Sequence, residues 1–463
     1  MEQLNILDQK IINVLQNYTL EPYSKQAEML GISPQTMIRR VDSLKERGIL
    51  RFPIASFIPE RISLFRYGVM FSISSLHQFT LLQNALSEHK YIRAYNRFYG
   101  EKFGIYAHFD LPENTEAIFT KYLEYLLDQE YCDSYSIMKS MGYRDSQPEP
   151  LKTYSSNPET FDVISYWEKR LTKSTKLPRL PSPINPELIE PLHLLMLRDL
   201  TTSIRNGITI DIRTKQTKLI EHYKHYYDSL VKKVKLEDWE EACLYNLSAF
   251  FDTKNMPRNE NGKFKVSDAA KVEFGRKYYS VVVNNLIKNP RWNLDRKLFE
   301  PHVTRAFVIE NIPEQEKAQF FHFLNEEKIP FQTAFELFNK GIFFRISLPP
   351  DSDSKINYLI WSTFKDYDIY SLDFFGKHGV YWTFEFDSYD FASNCWRTDD
   401  HWMYDGVIER INDKLNNGQF GNIKKDQDLK NASYLRKHIV NGNGSKTTAT
   451  AVKQPAEIPA SGD

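Results

Sequence analysis

The chain has 463 residues, 41% of them hydrophobic and 26% charged, with sixty basic and sixty acidic side chains that cancel at neutral pH. This length exceeds one hydrophobic core, and roughly three units are expected. Balanced charge excludes a uniformly basic surface, so any nucleic-acid contact must come from local clustering. Cys132, Cys243 and Cys395 are odd in number and widely spaced, which excludes a disulfide framework or a CxxC zinc site. There is no basic leader and no run of about 18 apolar residues, so neither a signal peptide nor a membrane span is expected. A reduced, cytoplasmic location without a membrane partner follows as the expectation.

Residues 4–50 read as three helices. Leu7, Ile11, Val14 and Leu15 keep the helical period, and Ala27 and Leu30 give a short second helix an inner face. Gly31 supplies the turn, Ser33 the cap and Pro34 the first position of a third helix. Its buried stripe is expected to be Ile38, Val41 and Leu44, and Gly48 ends it. Residues 49–57 read as two short strands turning near Pro53. From 66 to 140 the order is strand, helix, strand, strand, helix, strand, the ferredoxin-like βαββαβ unit.

A Pro- and Ser-rich stretch, 145–186, then leads to helical candidates at 188–205 and 216–233. Beyond it the pattern recurs. At an ungapped shift of 242, Val41 and Leu44 fall on Val283 and Leu286, and Phe65 falls on Phe307. A second βαββαβ order spans 305–375. The expected class is α+β, a winged helix-turn-helix plus ferredoxin-like domain duplicated in tandem with a helical linker. The expected units are 1–64, 65–144, 145–235, 236–304 and 305–405, with a disordered tail over 411–463.

The first unit resembles the leucine-responsive/asparagine (Lrp/AsnC) regulators of bacteria and archaea. The match rests on Leu7-Asp8, Ala27-x-x-Leu30-Gly31-Ile32-Ser33-Pro34, Arg39-Arg40-Val41-x-x-Leu44 and Gly48-Ile49-Leu50. The resemblance covers about 1–140, with a fainter echo in 236–390. It implies a sequence-specific transcription regulator that binds double-stranded DNA as a homodimer. The residues support the same reading: Gln35, Thr36, Arg39 and Ser43 are expected on the free face of the third helix, where they can meet base edges. Lys25, Arg40, Lys45, Arg47 and Arg51 are the expected phosphate contacts. Residues 20–66 hold eight Lys and Arg against five Asp and Glu, a modest local excess.

In the second copy Lys277, Tyr278, Val281 and Asn285 are expected outward, with Val282 where Arg40 stood. That face favours packing over base reading, although Arg276, Lys277, Arg291, Arg296 and Lys297 could meet phosphate. The family also implies a small-molecule effector beside a Gly-acid loop, which here falls on Gly100 and Glu101. An ordinary hairpin loop is an equal reading of those two residues. His222, His225 and Asp228 share a helical spacing, and Asp399, Asp400, His401 and Asp405 cluster, but a solvated helix and a loop account for them. No catalytic residue, cofactor or metal ligand is assigned, and the chain is read as a non-enzyme. The rival reading is a ligand-sensing or assembly protein that keeps the fold without binding DNA.

Overall fold

The computed structural model describes residues 4–100, 102–146, 176–177, 179–202, 210–252, 265–295, 303–326, 332–348, 353–373 and 384–418. Its first three helices are α1 (Ile6–Asn17), α2 (Tyr23–Leu30) and α3 (Pro34–Glu46). Gly31 takes a left-handed φ of 65°, which turns the chain between α2 and α3 without a Cβ clash. The Ser33 side chain then accepts from the Thr36 amide at 3.1 Å and caps α3. Ile11, Ile12, Leu15, Ala27, Met37, Val41 and Leu44 fill the core. The inner stripe of α3 is thus Met37, Val41 and Leu44, spaced i, i+4, i+7, and the expectation for Ile38 is corrected: it is 44% exposed. Met37, unbranched and flexible, takes the inner position one residue earlier.

The expected hairpin about Pro53 does not form. Leu50–Phe57 is one strand, β1, paired antiparallel with β6 (Ile287–Leu294) in the second half of the chain. Pro53 has no N–H to donate, and the ladder responds with register shifts on either side of it instead of a turn. The partner strand brings Trp292 into the core of the first three helices. There Gln16 donates to the Trp292 carbonyl at 2.9 Å. Each helix-turn-helix therefore lends a strand to a shared two-stranded sheet.

The two βαββαβ units comprise β2 (Leu64–Ser72), α4 (Leu76–Glu88), β3 (Ile92–Gly100), β4 (Phe103–Pro112), α5 (Glu116–Asp128) and β5 (Ser134–Ser146). The second unit runs β7 (Val303–Glu310), helix Glu314–Glu326, β8 (Gln332–Phe338), β9 (Gly341–Leu348), helix Asp353–Thr363 and β10 (Asp368–Asp373). Both sheets run in the ferredoxin-like order. Their edges pair reciprocally, β3 with β10 and β5 with β8, and close an eight-stranded barrel within one chain. Closure leaves this sheet without an unpaired edge strand.

Alternation then sorts the side chains. Phe307, Ile309, Phe335, Leu337, Ile342, Phe344 and Ile346 face the second unit's helices. Met70, Phe98, Tyr106, Met138, Val308, Phe338, Phe343 and Tyr370 fill the barrel. Gly104 opposite Ser72 matches Gly341 opposite Glu310. A Cβ on either would strike a backbone oxygen of the neighbouring strand, Phe71 or Ile309. This equivalence sets an offset smaller than the ungapped 242.

In the second helix-turn-helix copy, helix Asp268–Phe274 continues as π-helical turns Gly275–Tyr279 and Val282–Leu286. Phe274, Tyr278, Val282 and Leu286, four residues apart, are buried, which corrects the outward placement of Tyr278. Their neighbours are helices Pro191–Thr202 and Gln216–Val231. Lys277, Asn285 and Arg276 remain exposed, while Val281 and Arg291 are half-buried. Arg296 and Lys297 lie outside the described residues. The expected tail begins inside helix Gly406–Asn416, where Ile411 is buried; residues 419–463 lie outside the described residues.

Candidate functional site

One end of the barrel carries a cluster of polar side chains. On β4, inward positions alternate as Tyr106, His108 and Asp110, and β2 sets Arg66 opposite Asp110. An irregularity between Ile92 and Ala94 accompanies Arg93, whose guanidinium also reaches Asp110. From the second half, β8 contributes Glu336 and β5 brings Ser140 beside it. Arg66 holds Asp110 through two contacts of 2.8 and 3.2 Å, and Arg93 adds a third at 2.8 Å. Burial opposes ionisation of Asp110, but the two guanidinium groups outweigh it and keep the carboxyl below its usual range.

Beside this cluster, the His108 Nε2 lies 2.6 Å from the Tyr106 hydroxyl and 3.4 Å from Glu336 Oε2. Ser140 donates to the other Glu336 oxygen at 2.7 Å. Burial pushes Glu336 up to about 7, and Arg66 and Ser140 only partly offset that. Burial, then Arg66, pushes His108 down to about 3. Burial raises Tyr106 far above the ordinary phenol range, so Tyr106 is the donor to a neutral imidazole. The Glu336 carboxyl is therefore balanced between acid and base at neutral pH, where proton transfer is most efficient. The His108 side chain keeps 16% exposure against 1% for Glu336, and Glu336 Oε2 has no hydrogen-bond partner among the described residues.

By strand register the second half places Phe343 where the first has Tyr106, Arg345 for His108, Ser347 for Asp110 and Thr304 for Arg66. Asn96 stands opposite Tyr106 as Glu336 stands opposite Phe343. Among the described residues the second half does not repeat this cluster, which draws on both halves.

At the helix-turn-helix, Gln35 and Arg39 are exposed on α3, while Thr36 and Ser43 are half-buried. The Thr36 hydroxyl meets Ser33 at 2.9 Å. Arg40 and Arg47 both lie on buried Asp8, at 3.5 and 3.3 Å. Lys25 pairs with Glu21, Lys45 with Asp42 and Arg51 with Asp295. Lys45 also lies over the Trp292 ring. Each expected phosphate contact already has a carboxylate beside it, and Ile38 and Asp42 share the exposed surface of α3. Gly100 ends β3 in the seam with β10, opposite Tyr370, where a Cβ would approach the Ile369 carbonyl to 2.8 Å. Glu101 lies outside the described residues. Among the described residues no three His, Cys, Asp or Glu side chains converge as metal ligands.

Residues 8–51 match the siroheme decarboxylase NirDL-like HTH domain family. Among solved structures, the siroheme decarboxylase NirDL is similar at 11% identity and a TM-score of 0.41, over 88% of this chain and 99% of that one. Escherichia coli AsnC is similar at 16% identity and a TM-score of 0.24, over 30% of this chain and 94% of that one. The Neisseria meningitidis regulator NMB0573, solved with L-Met, gives 21% and 0.26 over 30% and 91%. No curated protein matches in sequence. The reading as a non-enzyme is corrected: the family model that the N-terminal helices match is named for an enzyme.

Sequence reasoning assigned no role to Tyr106, His108, Asp110, Arg66, Arg93 or Glu336. One signal was present. In Ile105–Leu111 the positions facing the helices are Ile, Ala, Phe and Leu, and the intervening ones are Tyr, His and Asp. On an open sheet that polar face would be solvated; only barrel closure buries it.

Proposed function

We propose that the chain is an enzyme of the siroheme decarboxylase type, removing CO2 from a side-chain carboxylate of a tetrapyrrole at the polar end of the barrel. The observation that carries this reading is buried Glu336, held by Ser140 and set beside the His108–Tyr106 pair. Loss of CO2 breaks a carbon–carbon bond, leaves its electron pair on the former side-chain carbon and requires one proton there. Glu336, whose value burial raises to about 7, keeps a protonated fraction at neutral pH and is the donor. With His108 Nε2 taken by the Tyr106 hydroxyl, Glu336 Oε2 has no hydrogen-bond partner among the described residues and faces the substrate. Tyr106 orients the imidazole through its hydroxyl. Arg66 and Arg93, fixed on Asp110, keep positive potential beside Glu336 and favour its ionised form after donation. The helix-turn-helix pair then serves as the scaffold that holds the barrel end.

Incubation of the purified chain with siroheme, followed by mass spectrometry of the tetrapyrrole, tests this. The reading predicts a product lighter by CO2; unchanged siroheme contradicts it.

A second reading keeps one observation of its own. Gln35 and Arg39 are exposed on a capped helix, as base reading requires. A duplex-binding regulator of Lrp/AsnC type would lose specific affinity on Arg39→Ala, by about 1–3 kcal/mol. The internal neutralisation of the surrounding cations weighs against it.

A further inference from the structure

We propose that Arg345 anchors a non-reacting carboxylate of the substrate, which deepens the decarboxylase reading and rests on it. Arg345 lies on β9 between Phe344 and Ile346, which face the helices, so its side chain belongs to the barrel side. Its cross-strand neighbours are Ala306 on β7 and Ala334 on β8, both buried. Two alanines leave room beside the arginine stem that larger residues would take. The guanidinium is half-buried, and no carboxylate pairs with it among the described residues. The contrast with the first half is direct. There, Arg66 and Arg93 share Asp110. At the matching place in the second half stands Ser347, which carries no charge.

A guanidinium cannot shed its proton, and it prefers a planar two-oxygen acceptor. A half-buried one without such an acceptor is therefore ready for an incoming carboxylate. The position is also right. Arg345 pairs with Ala334, and Glu336 is two residues further along the same face of β8, one diagonal step away. A carboxylate on Arg345 would hold a multi-carboxylate ring with another side chain near the proton donor. The anchored group is not the one that leaves. An arginine on the departing carboxylate would stabilise the ground state more than the transition state, as negative charge moves from oxygen to carbon.

Binding of metal-free uroporphyrin, followed by quenching of tryptophan fluorescence, tests the anchor apart from catalysis. Arg345→Gln is expected to weaken binding at least about tenfold, and Arg345→Lys to recover part of it. In turnover with siroheme, Arg345→Gln is expected to raise KM while kcat stays within about threefold. Circular dichroism checks that both variants fold, and Arg345→Lys keeps the test open if Arg345→Gln does not. Wild-type affinity in Arg345→Gln overturns the anchor, as does failure of the wild type to bind uroporphyrin. Arg345-dependent binding without CO2 release leaves the anchor standing and removes the decarboxylase reading. CO2 release with an unchanged KM in Arg345→Gln does the reverse.

Discussion

Tyr106 and Phe343 stack across the barrel, ring centroids 5.9 Å apart and planes 13° from parallel, and they occupy matching positions in the two halves. One ring carries a hydroxyl that reaches His108; the other has none. That oxygen is one of the differences that set the two halves apart. Tyr106→Phe makes the pair symmetric. It should preserve folding, because the ring packing stays, and slow turnover about tenfold or more through loss of the imidazole's orienting hydrogen bond. Steady-state rates beside a thermal melt check this; an unchanged rate removes Tyr106 from the reactive site.

Gly68 makes room for that hydroxyl. A Cβ there would lie 2.9 Å from the Tyr106 oxygen and 3.0 Å from the Phe338 ring. Its counterpart in the second half is Ala306, opposite Arg345. Gly68→Ala should therefore displace Tyr106 and lower kcat with a modest loss of stability, about 1–3 kcal/mol. Chemical denaturation and rate measurement on the same variant separate the two effects.

Trp292 completes a core it is remote from in sequence. Trp292→Ala should cost about 3–5 kcal/mol and loosen α1 and α3 ahead of the barrel. Hydrogen exchange resolved by segment checks the order. Equal loosening of barrel and helices would contradict the placement of Trp292 in the first helical core.

His89 gives the acid response a sign. It is fully buried, edge-on to Phe109 and Phe119 at 5.2 and 5.6 Å, and its Nδ1 accepts from the Tyr91 amide. Burial, then Arg410, pushes it down to about 3 from an ordinary value of 6.5. A proton thus binds the unfolded chain more readily, and stability is lost as pH falls from 6.5 toward 3. His108 adds to the same trend. Glu336 acts in the opposite sense: its raised value favours the folded state at low pH, and that contribution is lost as pH rises from 4.5 to about 7. Denaturant midpoints should fall less steeply with acid in His89→Phe than in the wild type. Glu336→Gln should remove the opposing slope between pH 4.5 and 7.

Much of the fold is legible from residues 1–140 and 303–373. Gly31, Ser33 and Pro34 set the turn and cap of α3 by local chemistry, and alternation marks the strands. What is not legible depends on distant pairing. Pro53 reads as a turn locally, yet β6 holds it in a ladder. Tyr278 reads as outward when aligned on α3, yet the helices Pro191–Thr202 and Gln216–Val231 cover it. The reactive cluster is the extreme case. His108 and Glu336 are separated by about half of the chain, and neither is notable until β5 meets β8 and the barrel closes.

The most direct measurement is the rate of CO2 release from siroheme by the wild type and Glu336→Gln across pH 5–9. The account predicts release that declines as pH rises through about 7, and a rate in Glu336→Gln at least about a hundredfold lower. No release by the wild type, or release by Glu336→Gln at the wild-type rate, would contradict it.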